Sequence, residues 1–121
     1  MKLYLTHATS YDYEVGLYEP LKQTLAVNHD IFFPHDEENI NTKSKDIIKE
    51  SDVVLAEVSQ PSTGQGIELG WADSFNVPIV CFYRSGSKPS GSLRFISDVF
   101  IEFSSVEEMT AKLAEHFEKR L

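Results

Sequence analysis

Apolar residues recur along the chain in two alternating patterns, short unbroken runs and stretches spaced at helical intervals. Lys2–Thr6 reads as a first strand, and Leu17, Leu21 and Leu25 mark a helix that runs to about Val27. Pro20 falls inside that stretch. Proline is tolerated in a first turn but breaks a helix interior, so the helix either begins near Tyr18 or bends there. Asp30–Phe33 is a short second strand stopped by Pro34, and the polar stretch His35–Thr42 is a loop. Lys43–Glu50 is a short helix that turns Ile47 and Ile48 to the sheet. Asp52–Val58 is nearly all apolar on both faces, as expected of a central parallel strand.

The alternation continues to the end of the chain. Gly64–Asn76 predicts a helix with Ile67, Leu69, Ala72 and Phe75 inward, and Pro78–Tyr83 a further buried strand. Arg84–Gly91, rich in Ser, Gly and Pro, is a flexible loop, and Asp98–Phe103 is the last strand. Ser105 with Glu108 three residues on is a capping-box signal, after which Val106, Met109, Leu113 and Phe117 lay an apolar stripe along the final helix. Strands and helices in this order predict a single-domain α/β fold spanning residues 1–121. Its core is an open, mostly parallel five-stranded sheet with helices on both faces, Rossmann- or flavodoxin-like. Ligands of such sheets bind outside the carboxyl ends of the strands. The loop after Thr6, the segment Ser59–Glu68 and the loop after Tyr83 therefore share one mouth.

Composition narrows the classes. The 121 residues fit one domain, and 41% hydrophobic with 25% charged residues is ordinary for a globular chain. A net charge of −8 argues against general binding to nucleic-acid backbones, which relies on Lys and Arg at phosphates. It leaves room for a small phosphorylated ligand held by backbone N–H groups. No apolar run approaches the ~20 residues that span a bilayer. The strand-like start is no signal peptide, so a cytoplasmic protein is expected. The single cysteine, Cys81, allows no intrachain disulfide and reads as core.

The chemistry concentrates in Ser59-Gln-Pro-Ser-Thr-Gly-Gln-Gly-Ile-Glu-Leu-Gly70, which leaves the most buried strand and enters a helix. Gly64 and Gly66 let the backbone approach a ligand, and Ser62 and Thr63 add hydroxyls beside the N–H groups of the helix start. The spacing is neither a dinucleotide fingerprint nor a P-loop. Glu68, near the helix start, is placed where the dipole favours a carboxylate. Two roles are open to it on physical grounds. It either complements the dipole in solvent or attacks an anomeric carbon at the mouth.

The stretch from Asp52 to Ala72 resembles the signature of the nucleoside 2-deoxyribosyltransferase superfamily, closest to its 2'-deoxynucleoside 5'-monophosphate N-hydrolase branch. The resemblance implies that Glu68 is the nucleophile at C1', that Tyr4 positions it and the sugar, and that Ser62 contacts a 5'-phosphate. It also implies a homodimer in which Ser92 serves the neighbouring site, and no metal or organic cofactor. Two positions depart from the pattern. His7 and Ala8 stand where the family has glycine and serine, and the family's second acid, which assists the leaving base, falls on Ser44, with Asp46 on another helical face.

No spacing of His7, His29, His35 and His116 suits a metal, and His29 and His116 read as surface residues. His7 is a candidate ligand contact and a replacement proton donor. Glu57, Arg84, Tyr11 and Tyr13 lie at the mouth, whereas Trp71 reads as core or dimer interface. The expected function is cleavage or transfer at the N-glycosidic bond of a nucleoside or its 5'-monophosphate. The alternative is a non-catalytic nucleotide-binding module that has lost the acid.

Overall fold

A computed structural model describes residues 1–119, so the last two residues of the expected 1–121 domain lie outside the described part. Five strands, β1 (Lys2–His7), β2 (Asp30–Phe32), β3 (Val53–Glu57), β4 (Ile79–Arg84) and β5 (Val99–Phe103), form one sheet. Its order is β2-β1-β3-β4-β5. Every neighbouring pair is parallel. Four α-helices connect or follow them: α1 (Glu19–Gln23), α2 (Ser44–Glu50), α3 (Thr63–Ser74) and α4 (Val106–Glu118). Among the described residues, no helix is long and apolar enough to cross a membrane.

Each strand residue faces one of two cores. Leu3 and Leu5 of β1 join Leu17, Leu21, Met109, Leu113 and Phe117 on the α1–α4 face. Tyr4 joins Val54, Ala56, Ile48, Leu69 and Ala72 on the α2–α3 face. Strand order reverses at β1, whose neighbours are β2 and β3, so the crevice for a ligand opens between the carboxyl ends of β1 and β3.

Local differences from the sequence pattern have physical causes. Both readings of Pro20 are realised in part. A π-helical turn over Glu14–Tyr18 precedes α1, and Pro20 falls in the first turn of α1, where its missing N–H costs no helical bond. Ile67 is a correction: it is 51% exposed, because Gln65, Leu69 and Ala72 form the buried stripe of α3. Ile48 is buried while Ile47 is only partly so. The stretches 35–42 and 91–95 each contain a single 3₁₀ turn, Glu37–Asn39 and Gly91–Phe95, too short to show a period. At α4 the Ser105 hydroxyl accepts from the Glu108 N–H, but the Glu108 carboxylate returns to the N–H of Ser104 instead of Ser105. Cys81 is fully buried, which pushes its thiol up to about 11. His29 and His116 are half-buried, each ring packed on Phe117.

Candidate active site

A cavity of about 550 Å³ opens at the β1–β3 crevice. Thr9 and His7 wall it from β1 and the loop after it, and Pro34, His35, Asn39, Ile40 and Thr42 from the loop after β2. Ser44 lines it from the start of α2, and Ser62, Gly64, Gln65, Ile67, Glu68 and Trp71 from α3 and its cap. α3 begins cleanly because the Ser62 hydroxyl accepts the Gln65 N–H, at 3.4 Å.

Glu68 is the carboxylate of this wall. It lies near the start of α3, in the second turn, just past the first turn where the dipole acts most strongly. Side chains take over that role. The Tyr4 hydroxyl donates to Oε2, and the Thr6 hydroxyl donates to Oε1 at 2.8 Å. Tyr4 and Thr6 alternate with Leu3 and Leu5 on β1, so both reach the α3 side of the sheet, and both are fully buried. Burial, reinforced by the Glu68 charge, pushes the Tyr4 phenol far above its ordinary value, so it remains a donor. The Ser44 side chain lies against the same phenol.

His7 lines the cavity but has no free ring nitrogen. Nδ1–H donates to the Ala8 carbonyl at 2.8 Å, and Nε2 accepts from the Tyr18 hydroxyl at 2.7 Å. That hydroxyl in turn accepts the His35 N–H. Burial lowers His7 to about 4, leaving it neutral and without a proton to give at neutral pH. This geometry speaks against the replacement proton donor expected from its position. Tyr13 packs on His7 and His35 and does not wall the cavity.

Glu57 faces the other side of the sheet. Its carboxylate accepts the Ser59 N–H at 2.6 Å, and burial raises its pKa despite that bond. Tyr11 lies near this carboxyl, and the exposed Arg84 guanidinium stacks on Phe103. None of these three lines the Glu68 cavity. Gly66 and Ser92 line a separate, mostly apolar cavity on the far side of the α3 start. Gly64 and Ser62 line the Glu68 cavity, and Ser62 lines the second one as well. Asp46 is exposed, so Ser44 alone represents the α2 start at the site. Among the described residues no group of three or more His, Cys, Asp and Glu side chains could hold a metal.

Thr6, Thr9, Pro34, His35, Asn39, Ile40, Thr42, Gln65, Ile67 and Trp71 are the site residues that the sequence does not single out as such. Trp71 had a usable signal, since it stands three residues after Glu68 on one helix and so shares its face. The residues of the loop after β2 carry no periodic mark.

No family model matches the chain. It is 35% identical over 91 residues to a Trichoplax adhaerens protein provisionally named 2'-deoxynucleoside 5'-phosphate N-hydrolase 1. That match covers 71% of this chain and 63% of the relative. A human protein named 5-hydroxymethyl-dUMP N-hydrolase is 43% identical over 61 residues, 49% of this chain and 35% of that one. The chain is thus similar in sequence to N-hydrolases of the nucleoside 2-deoxyribosyltransferase-like family. A solved structure titled as the Clostridium botulinum CMP N-glycosidase BcmB superposes with a TM-score of 0.71. It covers 94% of this chain and 99% of its own at 20% identity, a likeness that shows the fold alone. Within this fold, the Tyr4–Glu68 hydrogen bond joins β1 to α3 beside the crevice between β1 and β3. The chain spans less than two thirds of the length of both curated relatives.

Proposed function

We propose that the protein cleaves the N-glycosidic bond of a nucleoside or its 5'-monophosphate, 2'-deoxy sugars included. The observation that carries this reading is Glu68, its two carboxylate oxygens each held by a buried hydroxyl at the wall of a cavity of about 550 Å³. One Glu68 oxygen forms a bond to C1' as the C1'–N bond breaks and its electron pair leaves with the base. Water then attacks C1', releasing the sugar and returning the carboxylate, and the proton it loses neutralises the departed base; a second base in place of water gives transfer. Ser62 and the backbone at Gly64 hold the 5' oxygen or phosphate. Among the described residues no Lys or Arg lines the cavity, so the α3 start supplies the anion's N–H partners. The names of the relatives support the reaction class. We propose likewise a cytoplasmic homodimer in which Ser92 faces the neighbouring site.

A second reading, a nucleotide-binding module without turnover, is favoured by one observation. Among the described residues that line the cavity, Glu68 is the one carboxylate, and Ser44 stands where the family's second acid is expected. Release of free base from a panel of 2'-deoxynucleosides and their 5'-monophosphates decides between them. Glycosidase activity requires base release that Glu68→Gln abolishes. Ligand-induced thermal stabilisation without any base release identifies the binding module instead.

A further inference from the structure

Gln65 is a buried amide that has no place in the reaction just described. It is 5% exposed, one turn before Glu68 and on the same face of α3. Its Nε2 donates to two backbone carbonyls, Thr6 at 3.2 Å and Glu57 at 2.6 Å. These are the carboxyl ends of β1 and β3, the two strands between which the crevice opens. Thr6 is therefore held twice. Its carbonyl is fixed by Gln65, and its hydroxyl donates to Glu68 Oε1.

The hydrogen bonds close a circuit: Gln65 side chain to Thr6 backbone, Thr6 hydroxyl to Glu68, and Glu68 back to Gln65 through one turn of helix. A carboxylate on a helix and a hydroxyl on a strand ordinarily move with their own elements. Here one amide pins the helix turn to the strand ends, so the attacking oxygens keep their distance from the sheet. The buried amide also loses both of its hydrogen bonds at a cost if the turn lifts, because its N–H donors are then parted from the two carbonyls. The remaining support on Glu68, Tyr4, comes from two residues further back on the same strand.

We infer that Gln65 and Thr6 are positioning residues for Glu68, acting as one unit that sets the angle of the attacking carboxylate. The inference rests on the proposed glycosidase reading. Misplacing a reacting group by an ångström costs on the order of 10²-fold in rate, while substrate affinity is set by other contacts.

The experiment is a double-variant cycle with Thr6→Val and Gln65→Met, both close in volume to the native side chains. Base release is followed from the 2'-deoxynucleoside 5'-monophosphate most readily cleaved among those of adenine, guanine, cytosine and thymine. Each variant is expected to lower kcat by roughly 10- to 100-fold with KM little changed. The double variant is expected to fall no further than the worse single one, because the circuit opens once. Thr6→Ser, which keeps the hydroxyl, is expected to retain kcat. If Gln65→Met does not fold, the contrast between Thr6→Val and Thr6→Ser carries the test. Wild-type kcat in Thr6→Val, or effects that multiply in the double variant, overturns the inference. Glu68→Gln separates the two levels. Activity surviving in it defeats the glycosidase reading itself, whereas its loss beside unaffected Thr6 and Gln65 variants defeats only the positioning role.

Discussion

The Tyr4 hydroxyl donates to Glu68 Oε2, joining the middle of β1 to the second turn of α3. Strand and helix are 64 residues apart in sequence at this contact, so it forms only when the sheet has assembled. Removing the hydroxyl leaves one carboxylate oxygen without its donor and the aromatic ring in place against Phe32. Tyr4→Phe is therefore expected to preserve the fold and lower kcat for base release by roughly 10²-fold, the usual scale for losing one preorganised donor at a charged group. Because burial keeps the phenol neutral, Tyr4 gives no alkaline limb to the pH profile. Steady-state kinetics of the variant, with a thermal midpoint as control, check both statements.

A different part of the wall governs acid stability. His7 falls from 6.5 to about 4 because burial disfavours the imidazolium. The unfolded chain takes up a proton near 6.5, while the folded chain refuses it until about 4. Stability from this group is complete above 6.5 and is lost as pH falls from there toward 4, by on the order of 3 kcal/mol. Urea unfolding between those limits is expected to show the slope in the wild type and a shallower one in His7→Gln. Equal slopes in the two proteins would sink the assignment.

Much of this architecture was legible in the sequence, and the failures have identifiable causes. The nearly all-apolar stretch Asp52–Val58 announced a strand buried on both faces, realised as Val53–Glu57, and its neighbours followed from the alternation. Glu68, Ser62 and Gly64 were legible because a strand, a turn and a helix start in that order put these residues at the crevice. Tyr4 came from resemblance, since a tyrosine in an apolar strand carries no mark of the face it takes. Thr6 and Gln65 escaped notice for a related reason. A buried polar residue looks like a surface residue until the carbonyls it serves are known. Gly66 points away from Glu68 because residues on a helix two apart face different ways.

The glycines of α3 separate ligand contact from helix stability. A Cβ built on Gly64, Gly66 or Gly70 meets nothing within 4 Å. Gly66 and Gly70 line the neighbouring cavity, not that of Glu68. Gly66→Ala and Gly70→Ala are expected to stabilise the protein by about 0.5–1 kcal/mol each, the helix-interior gain of alanine, with KM unchanged. Gly64 borders the Glu68 cavity beside Ser62, where a methyl group would stand between backbone and ligand. Gly64→Ala is expected to raise KM about tenfold, or ~1.4 kcal/mol of binding, with little change in unfolding. Equal KM values across all three variants would remove the α3 start from the ligand site.

Ser44 offers the sharpest test of what the site lacks. Its side chain lies against the Tyr4 phenol and borders the cavity, at the first residue of α2. A carboxylate at a helix start is favoured by the free N–H groups there, so Ser44→Asp places an acid beside the Tyr4–Glu68 pair with no expected loss of stability. If departure of the base is limited by the want of a proton donor, Ser44→Asp is expected to raise kcat by ~10²-fold, within the range of general acid help. The increase should be largest at the acid end of the profile, where the new carboxyl carries its proton. The opposite result is equally informative. A fall in kcat would mean that the second carboxylate draws the Tyr4 hydroxyl away from Glu68, so that the orientation of the nucleophile, and not the missing acid, limits the rate.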